Sequence, residues 1–536
     1  MSSASRDTQP LRVLIADHVS PVCAETLERS GGLQVEVAAG ESPDRIRRRL
    51  PGFAALIVRS ALQVDAPLLE AGPDLKVVGR AGEGVDNIDL DAATRKGIVV
   101  MNTPGGNTIS AAEHTLSMLL ALARRIPQAS ASLKGGAWDR KSFVGVQLYE
   151  KRLGVIGMGK VGREVAQRAR AFGMEILAHD PFLSEDMADK LKVTFVPFRD
   201  LLARADFITV HLPLTDQSRH LLGEAELRLC KPGVRIINCA RGGIVDEGAL
   251  AGALRDGRVA GAALDVFEQE PPTDNPLLAM DDVIVTPHLG ASTVEAQETV
   301  AVWIAEQVAD FLLRGIVRNA VNLIPLDPKT AAVIAPYQKL AEKLGSLHAQ
   351  LRRGRLKEIQ VEYHGDVAES PTAPVTSSLL KGYFETFQSG PVNAVNATYL
   401  AKASGVRLSE TRSAERLDFA NLISATFVTS EARIAVAGTL FGKNNPRIVR
   451  LDNYYFDALP EGNILLVSND DTPGMLGRIA TILGRNHINI GFLSMGRDTP
   501  AGTAVAILNL DSTPPPEVVR EIETTQGVLW VKAVRL

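Results

Sequence analysis

Cysteine is scarce: three thiols, Cys23, Cys230 and Cys239, stand far apart in 536 residues. An odd number at such spacing leaves no disulfide framework and no metal cluster, and it fits a reducing cytosol. A large charge excess of either sign is missing too. The net charge is −4 with Lys and Arg spread throughout, which gives nucleic acid or an anionic membrane nothing to hold. The densest basic run, residues 45–49, reads as a solvated helix face. No apolar run is long enough to span a bilayer, since the longest, residues 116–123, stops at Arg124-Arg125. Residues 1–10 are polar and lack the apolar centre of a signal peptide. No short-period repeat is found. What remains is the expectation of a soluble cytoplasmic protein whose length, with 45% apolar and 22% charged residues, allows three or four domains.

What is there begins with short apolar strands alternating with helical stretches. Strand candidates at residues 13–16, 35–38, 55–58, 76–79 and 98–101 read as a parallel sheet wound with helices. Thr103-Pro-Gly-Gly-Asn107 breaks that pattern like a hinge, and a long apolar helix follows over 110–124. A second series runs from Leu153 to about Thr286, with later strands at 207–211, 235–238, 261–265 and 283–286. The helix over 293–313 is expected to pack back on the first unit. The first unit is then discontinuous, 11–106 with 290–325, and the second covers 107–289, with the active site in the cleft between two doubly wound parallel sheets. Past Pro325 the composition shifts. Residues 326–455 show a helix over 336–353 and short strands at 359–363 and 433–437. Residues 462–536 read as βαββαβ, a small ferredoxin-like unit whose edge strands can pair with a second copy.

The second series opens with a nucleotide fingerprint. Arg152-Leu-Gly-Val-Ile turns through Gly157, Gly159 and Gly162 into a helix, and Glu175-Ile-Leu-Ala-His ends at Asp180. The first glycine allows a tight turn, the second lets backbone approach a pyrophosphate, and the third lets helix and strand pack closely. Free N–H groups and the dipole of that helix favour the anion. A carboxylate at Asp180 can accept both ribose hydroxyls and would repel a 2′-phosphate, so the expected cofactor is NAD and not NADP.

Three polar residues follow at strand ends: Arg241, Glu270 and His288. Alcohol oxidation needs a base for the hydroxyl proton and a cation for a neighbouring carboxylate. His288 can be the base, Glu270 can orient its imidazole, and Arg241 can grip a carboxylate through two hydrogen bonds. Each residue read alone also fits a surface position. Arg59 and Arg80 end strands of the first unit, where they are either ordinary surface arginines or ligands for a second anionic group such as a phosphate.

Beyond pattern, the chain resembles the D-2-hydroxyacid dehydrogenase family, most closely its long-form 3-phosphoglycerate branch. The likeness rests on Gly79-Arg-Ala-Gly-Glu-Gly-Val-Asp-Asn-Ile-Asp89, Asn102-Thr-Pro-Gly-Gly-Asn107, Ala111-Ala-Glu-His-Thr115, Trp138-Asp-Arg140 and the fingerprint. Asn238-Cys-Ala-Arg-Gly-Gly243, Leu264-Asp-Val-Phe-Glu268 and Thr286-Pro-His-Leu-Gly-Ala-Ser292 complete it over residues 11 to about 320. Tyr337 to Gly345, Pro391-Val-Asn-Ala-Val-Asn-Ala397 and Ala437-Gly-Thr439 resemble an α+β intervening domain, and Asp471-Thr-Pro-Gly-Met-Leu-Gly477 with Asn489-Ile490 resembles an amino-acid-sensing ACT domain.

The resemblance implies roles. Arg241 would bind the substrate carboxylate, Glu270 would orient His288, and His288 would be the acid/base. Arg59, Ser60, Arg80 and Gly82 would contact substrate. Lys160 and Val161 would lie at the pyrophosphate, with Leu212, Cys239, Ala240, Asp265, Leu289, Gly290 and Ala291 along the cofactor path. Glu83 would touch cofactor through its backbone, although relatives often carry a smaller residue there. Asp471 and Asn489 would be effector ligands. The implied reaction is oxidation of 3-phosphoglycerate to 3-phosphohydroxypyruvate with NAD, the first step of serine synthesis, in a homo-oligomer (dimer or homotetramer) restrained by L-serine. A dehydrogenase for glyoxylate or hydroxypyruvate and an NAD-sensing corepressor are the competing readings.

Overall fold

Runs of two to ten residues, most of them rich in Val, Ile, Leu and Ala, become the strands of four sheets in the computed structural model. It describes residues 10–182, 185–324, 326–388 and 390–536, so the polar start at 1–9 and the composition boundary at Pro325 lie outside the described residues. The first sheet is wholly parallel, in the order Leu33–Val37, Leu11–Ile15, Ala55–Val58, Val77–Arg80, Val99–Met101. The second is also parallel and has seven strands: Val283–Val285, Val259–Leu264, Val234–Asn238, Phe207–Val210, Arg152–Ile156, Glu175–His179 and Thr194–Phe195. Its strand order reverses between Arg152–Ile156 and Phe207–Val210, the kind of switch point at which open α/β sheets leave a crevice.

The chain crosses between these sheets twice. Helix Thr108–Arg124 lays Ala112, Leu116 and Leu119 on the second sheet, in one core with Val155, Ile237 and Ala263. Helix Val294–Arg314 returns to the first sheet, where Val300, Ile304 and Val308 join Val13, Ile57 and Val77. Thr293 caps that helix by accepting from the Ala296 N–H, and Gly315 ends it at φ 69°. Its approach is close: a Cβ on Gly79 would stand 2.8 Å from Ile304 and 2.9 Å from Val308.

The C-terminal part departs more from the sequence reading. A mixed six-stranded sheet, Arg407–Ser413, Leu356–Gly365, Asn421–Thr429, Arg433–Phe441, Asn445–Leu451, Tyr454–Ala458, replaces the two short strands expected there. The helix expected from 336 begins two turns earlier and spans Pro328–Leu351, with Pro336 inside it. Asp327 nucleates this start by accepting from the N–H groups of Lys329 and Thr330. The last sheet, Ile490–Arg497, Thr503–Leu510, Asn463–Asp470, Val528–Arg535, is antiparallel, and helices Met475–Arg485 and Pro516–Glu523 complete the βαββαβ order. Ile464, Leu466, Val505, Ile507 and Val534 of this sheet share one core with Leu340, Leu344, Ile359 and Phe427 of the preceding part. Among the described residues, no helix is long and apolar enough to cross a membrane.

Candidate active site

The fingerprint turn has the geometry its glycines permit. Gly157 sits at φ 95°, and a Cβ there would lie 2.4 Å from the His211 carbonyl oxygen. A Cβ on Gly162 would stand 2.1 Å from the Gly157 carbonyl oxygen, so helix Lys160–Ala171 can lie this close to its strand only without a side chain. Gly159 differs: its Cβ would meet nothing within 4 Å, which leaves open space before the helix N-terminus. Asp180 accepts from the Met158 N–H at 2.7 Å and from the Phe182 N–H at 2.8 Å, which holds its carboxylate beside the turn. Lys160 donates to the Pro104 carbonyl at 3.0 Å, and Val161 and Leu212 pack into the two cores flanking the sheet. Open space, bare backbone, a helix N-terminus and a fixed carboxylate together fit a dinucleotide.

Arg241, Glu270 and His288 follow three strands that are neighbours in the sheet, Val234–Asn238, Val259–Leu264 and Val283–Val285. His288 Nδ1 stands 2.8 Å from Glu270 Oε2, while Glu270 Oε1 accepts from the Phe267 N–H at 3.1 Å. Burial by itself would raise the Glu270 carboxyl, but the hydrogen bond and charge of His288 outweigh it and hold the group below its usual range. With Nδ1 engaged, Nε2 of His288 is the nitrogen left to exchange a proton.

Asp265 anchors the turn that carries His288. Its carboxylate accepts from Thr286 Oγ1 at 2.6 Å and from the N–H groups of Leu289 and Gly290 at 2.7 and 2.8 Å, and its carbonyl accepts from the His288 N–H at 2.9 Å. His114 Nε2 lies 3.1 Å from the same carboxylate. Asp265 is fully buried, which pushes its carboxyl up, yet the bonds from His114, Thr286 and Leu289 bring it below its ordinary value. Ala291 follows in that turn. Cys239 and Ala240 lie on the loop of Arg241, and burial pushes the Cys239 thiol up to about 12, so it stays neutral.

In the first unit, Arg59 and Arg80 end the adjacent strands Ala55–Val58 and Val77–Arg80. Buried Asp17 accepts from the N–H groups of Arg59, Ala61 and Leu62, while Asn87 binds the carbonyls of Arg59 and Leu62 and accepts from Arg80 Nε. Burial, followed by repulsion from Arg241, pushes Arg80 down to about 10, and Arg59 adds to that repulsion. Arg59 follows the strand paired with that of Arg80, and Cβ atoms on Gly82 and Gly84 would stand 2.3 Å from Arg80 Nη1 and Arg241 Nη2 respectively, so the three arginines gather from two units. Ser60 is exposed beside Arg59, Gly82 is buried behind Arg80, and the Glu83 carbonyl accepts from Asn102. No motif pointed to Asp86, whose carboxylate lies 3.1 Å from Arg241 Nε, or to His114. Both lie in segments quoted above for the resemblance, but their partners are far along the chain.

Asp471 and Asn489 do not meet within one chain. Asp471 accepts from Arg497 Nη1 and the Ala501 N–H near the Asp470–Thr503 end of the sheet, and Asn489 donates to Asp511 beyond the Asn463–Leu510 end. The length of strand Asn463–Asp470, roughly 23 Å, separates those ends.

Comparison with known proteins matches the same regions. Residues 116–290 match the NAD-binding domain of D-isomer-specific 2-hydroxyacid dehydrogenases, 333–452 the D-3-phosphoglycerate dehydrogenase intervening domain, and 463–525 the ACT domain. D-3-phosphoglycerate dehydrogenase of Archaeoglobus fulgidus is 43% identical over 98% of this chain and 100% of its own length. That of Methanocaldococcus jannaschii is 40% identical over 98% and 100%. A Thermus thermophilus structure aligns with 58% of this chain and all of its own at TM-score 0.54 and 36% identity. The Aquifex aeolicus D-lactate dehydrogenase complexed with NAD and lactic acid covers 58% of this chain and 97% of its own, at TM-score 0.50 and 28% identity.

Proposed function

Because this chain belongs to the D-3-phosphoglycerate dehydrogenase family of NAD-dependent oxidoreductases, we propose that it oxidises 3-phosphoglycerate to 3-phosphohydroxypyruvate, the first step of L-serine synthesis. The observation that carries the substrate is the gathering of Arg59, Arg80 and Arg241. A carboxylate and a phosphate together need several cations, and Arg59 is hydrogen-bonded among the described residues through its backbone, with no partner on its guanidinium. Arg241 takes the carboxylate, and Arg59 and Arg80, beside Ser60 and Gly82, take the phosphate. His288 Nε2 accepts the C2 hydroxyl proton while Glu270 stabilises the imidazolium through Nδ1. Bound in this cleft, NAD would supply the hydride acceptor for C2. Gly157, Gly159, Lys160, Val161 and Gly162 hold its pyrophosphate and Asp180 its ribose, with Glu83, Leu212, Cys239, Ala240, Asp265, Leu289, Gly290 and Ala291 lining the rest of the path.

The enzyme works in the cytoplasm as a homo-oligomer, dimer or tetramer. Ile126, Leu133, Trp138, Val144 and Tyr149 support this, since all are exposed and helix Ile126–Lys134 buries no residue within the chain. Asp471 of one ACT domain and Asn489 of another bind L-serine, an arrangement that reconciles their separation within one chain. NADH formation from NAD and 3-phosphoglycerate, with and without serine, tests the reading. Turnover that serine suppresses is expected. Turnover that ignores serine removes the effector, and turnover of glyoxylate or hydroxypyruvate without 3-phosphoglycerate removes the substrate.

A further inference from the structure

We infer that Asp86, together with the bare backbone of Gly84, is the seat of Arg241, and that this seat aims the guanidinium fork at the substrate carboxylate. The inference rests on the proposed function and adds a positioning residue to it.

The pair joins two separate parts of the molecule. Asp86 lies between strand Val77–Arg80 and helix Leu90–Arg95 of the first unit, whereas Arg241 follows strand Val234–Asn238 of the second. Arg241 Nε donates to Asp86 Oδ2 at 3.1 Å, and Nη1 donates to the Ala240 carbonyl at 2.8 Å. A Cβ on Gly84 would stand 2.3 Å from Arg241 Nη2 and 2.7 Å from Asp86 Oδ2, so the guanidinium fits only because residue 84 has no side chain.

A guanidinium has five N–H donors in a rigid fork. With Nε and one Nη1 hydrogen engaged, the remaining donors lie on Nη1 and Nη2, the end that presents two parallel N–H groups to a carboxylate. An unanchored arginine would have to give up its side-chain freedom each time substrate binds. The seat removes that cost in advance.

A purely structural role for Asp86 has little to rest on. Its side chain is 68% exposed and makes no other hydrogen bond or ion pair among the described residues. The neighbouring Asn87, buried, is what ties this loop to the Arg59–Leu62 segment. Asp86 also places negative charge beside Arg80 as well as Arg241, which offsets part of the repulsion between those two guanidinium groups.

The test is steady-state kinetics of Asp86→Ala and Asp86→Asn in the full-length enzyme. Asp86→Ala is expected to raise KM for 3-phosphoglycerate about tenfold, as loss of a hydrogen bond to a charged group does, with kcat within about threefold and KM for NAD unchanged. Asp86→Asn keeps an oxygen acceptor for Nε and should restore KM to within about threefold of wild type. In an Arg241→Ala background Asp86→Ala should change KM by less than about twofold, because the one hydrogen-bond partner of its side chain among the described residues is gone. A KM for Asp86→Ala within about twofold of wild type sinks the inference, and a fall shows that Asp86 competes with substrate. Parallel losses in NAD affinity and thermal stability, or additive effects in the Arg241→Ala background, show a loop-folding role and also overturn it. If wild type ignores 3-phosphoglycerate, the proposed function fails by itself. The seat is then judged by the same ratios on the KM of the 2-hydroxyacid that is turned over, or on oxalate affinity of the NADH-loaded protein if none is.

Discussion

Glu270 and His288 lie 18 residues apart in sequence, and one hydrogen bond of 2.8 Å ties them. The bond engages Nδ1 and gives the ring one free nitrogen, which is the property a general base requires. His288→Ala should therefore lower kcat by about 10²–10⁴. NAD affinity should stay within about twofold, because the Asp265 carboxylate holds the Leu289 and Gly290 N–H groups whatever the side chain at 288. Stopped-flow turnover and an NAD fluorescence titration separate the two, and wild-type turnover would remove His288 from the mechanism. Glu270 and His288 were legible because a carboxylate, an imidazole and strand ends are chemical signals in themselves. Asp86 was not, since a carboxylate in a loop acquires meaning only when a guanidinium from a position 155 residues away lies against it.

At the scale of the element, the strand–turn–helix from Arg152 to Ala171 sets two glycines with different obligations beside each other. Gly162→Ala places a methyl 2.1 Å from the Gly157 carbonyl and must displace the turn. Gly159→Ala meets only open space. Gly162→Ala is thus expected to lower both thermal stability, by roughly 1–3 kcal/mol, and NAD affinity. Gly159→Ala should leave Tm nearly unchanged while weakening NAD at least about tenfold, since its methyl would enter the open space proposed for the pyrophosphate. Calorimetry of both variants, free and with NAD, checks this, and equal losses of Tm would contradict it. Such elements were readable because their glycines, apolar strands and acid occur within 30 residues. The six-stranded sheet was not: strand Arg407–Ser413 is almost wholly exposed and carries charge at Arg407, Glu410 and Arg412 with a single Leu among polar residues, so its parallel pairing with Leu356–Gly365 leaves no local trace.

Across the whole molecule, the intervening and ACT parts share one apolar core, and Gln350 and the Arg535 backbone exchange two hydrogen bonds of 2.8 and 3.0 Å. Contact with the first unit is narrower. Asn393 donates to the Gly97 carbonyl at 2.7 Å, Asn396 reaches the Arg95 carbonyl, and Val395 enters the core of the first sheet at 7% exposure. A hydrogen bond and a truncated Val together contribute roughly 1.5–3 kcal/mol. The double variant Asn393→Ala, Val395→Ala is therefore expected to free this contact, seen as faster proteolysis of the 315–328 connection, while NADH formation without effector stays within about twofold. Unchanged proteolysis would show that other contacts hold the parts together.

By itself the sequence determined most strands of the two parallel-sheet units, the glycine turn that leads into helix Lys160–Ala171, and the titratable residues that follow strands. Each depends on residues close in the chain or on periodicity along it. Only the tertiary structure decided which strand ends are neighbours, that three arginines from two units gather, that Asp86 seats one of them, and that Asp471 and Asn489 stand at opposite ends of one sheet. Those facts arise from sheet order and packing between remote segments, where burial and close contact decide the energy and no local pattern records the partner.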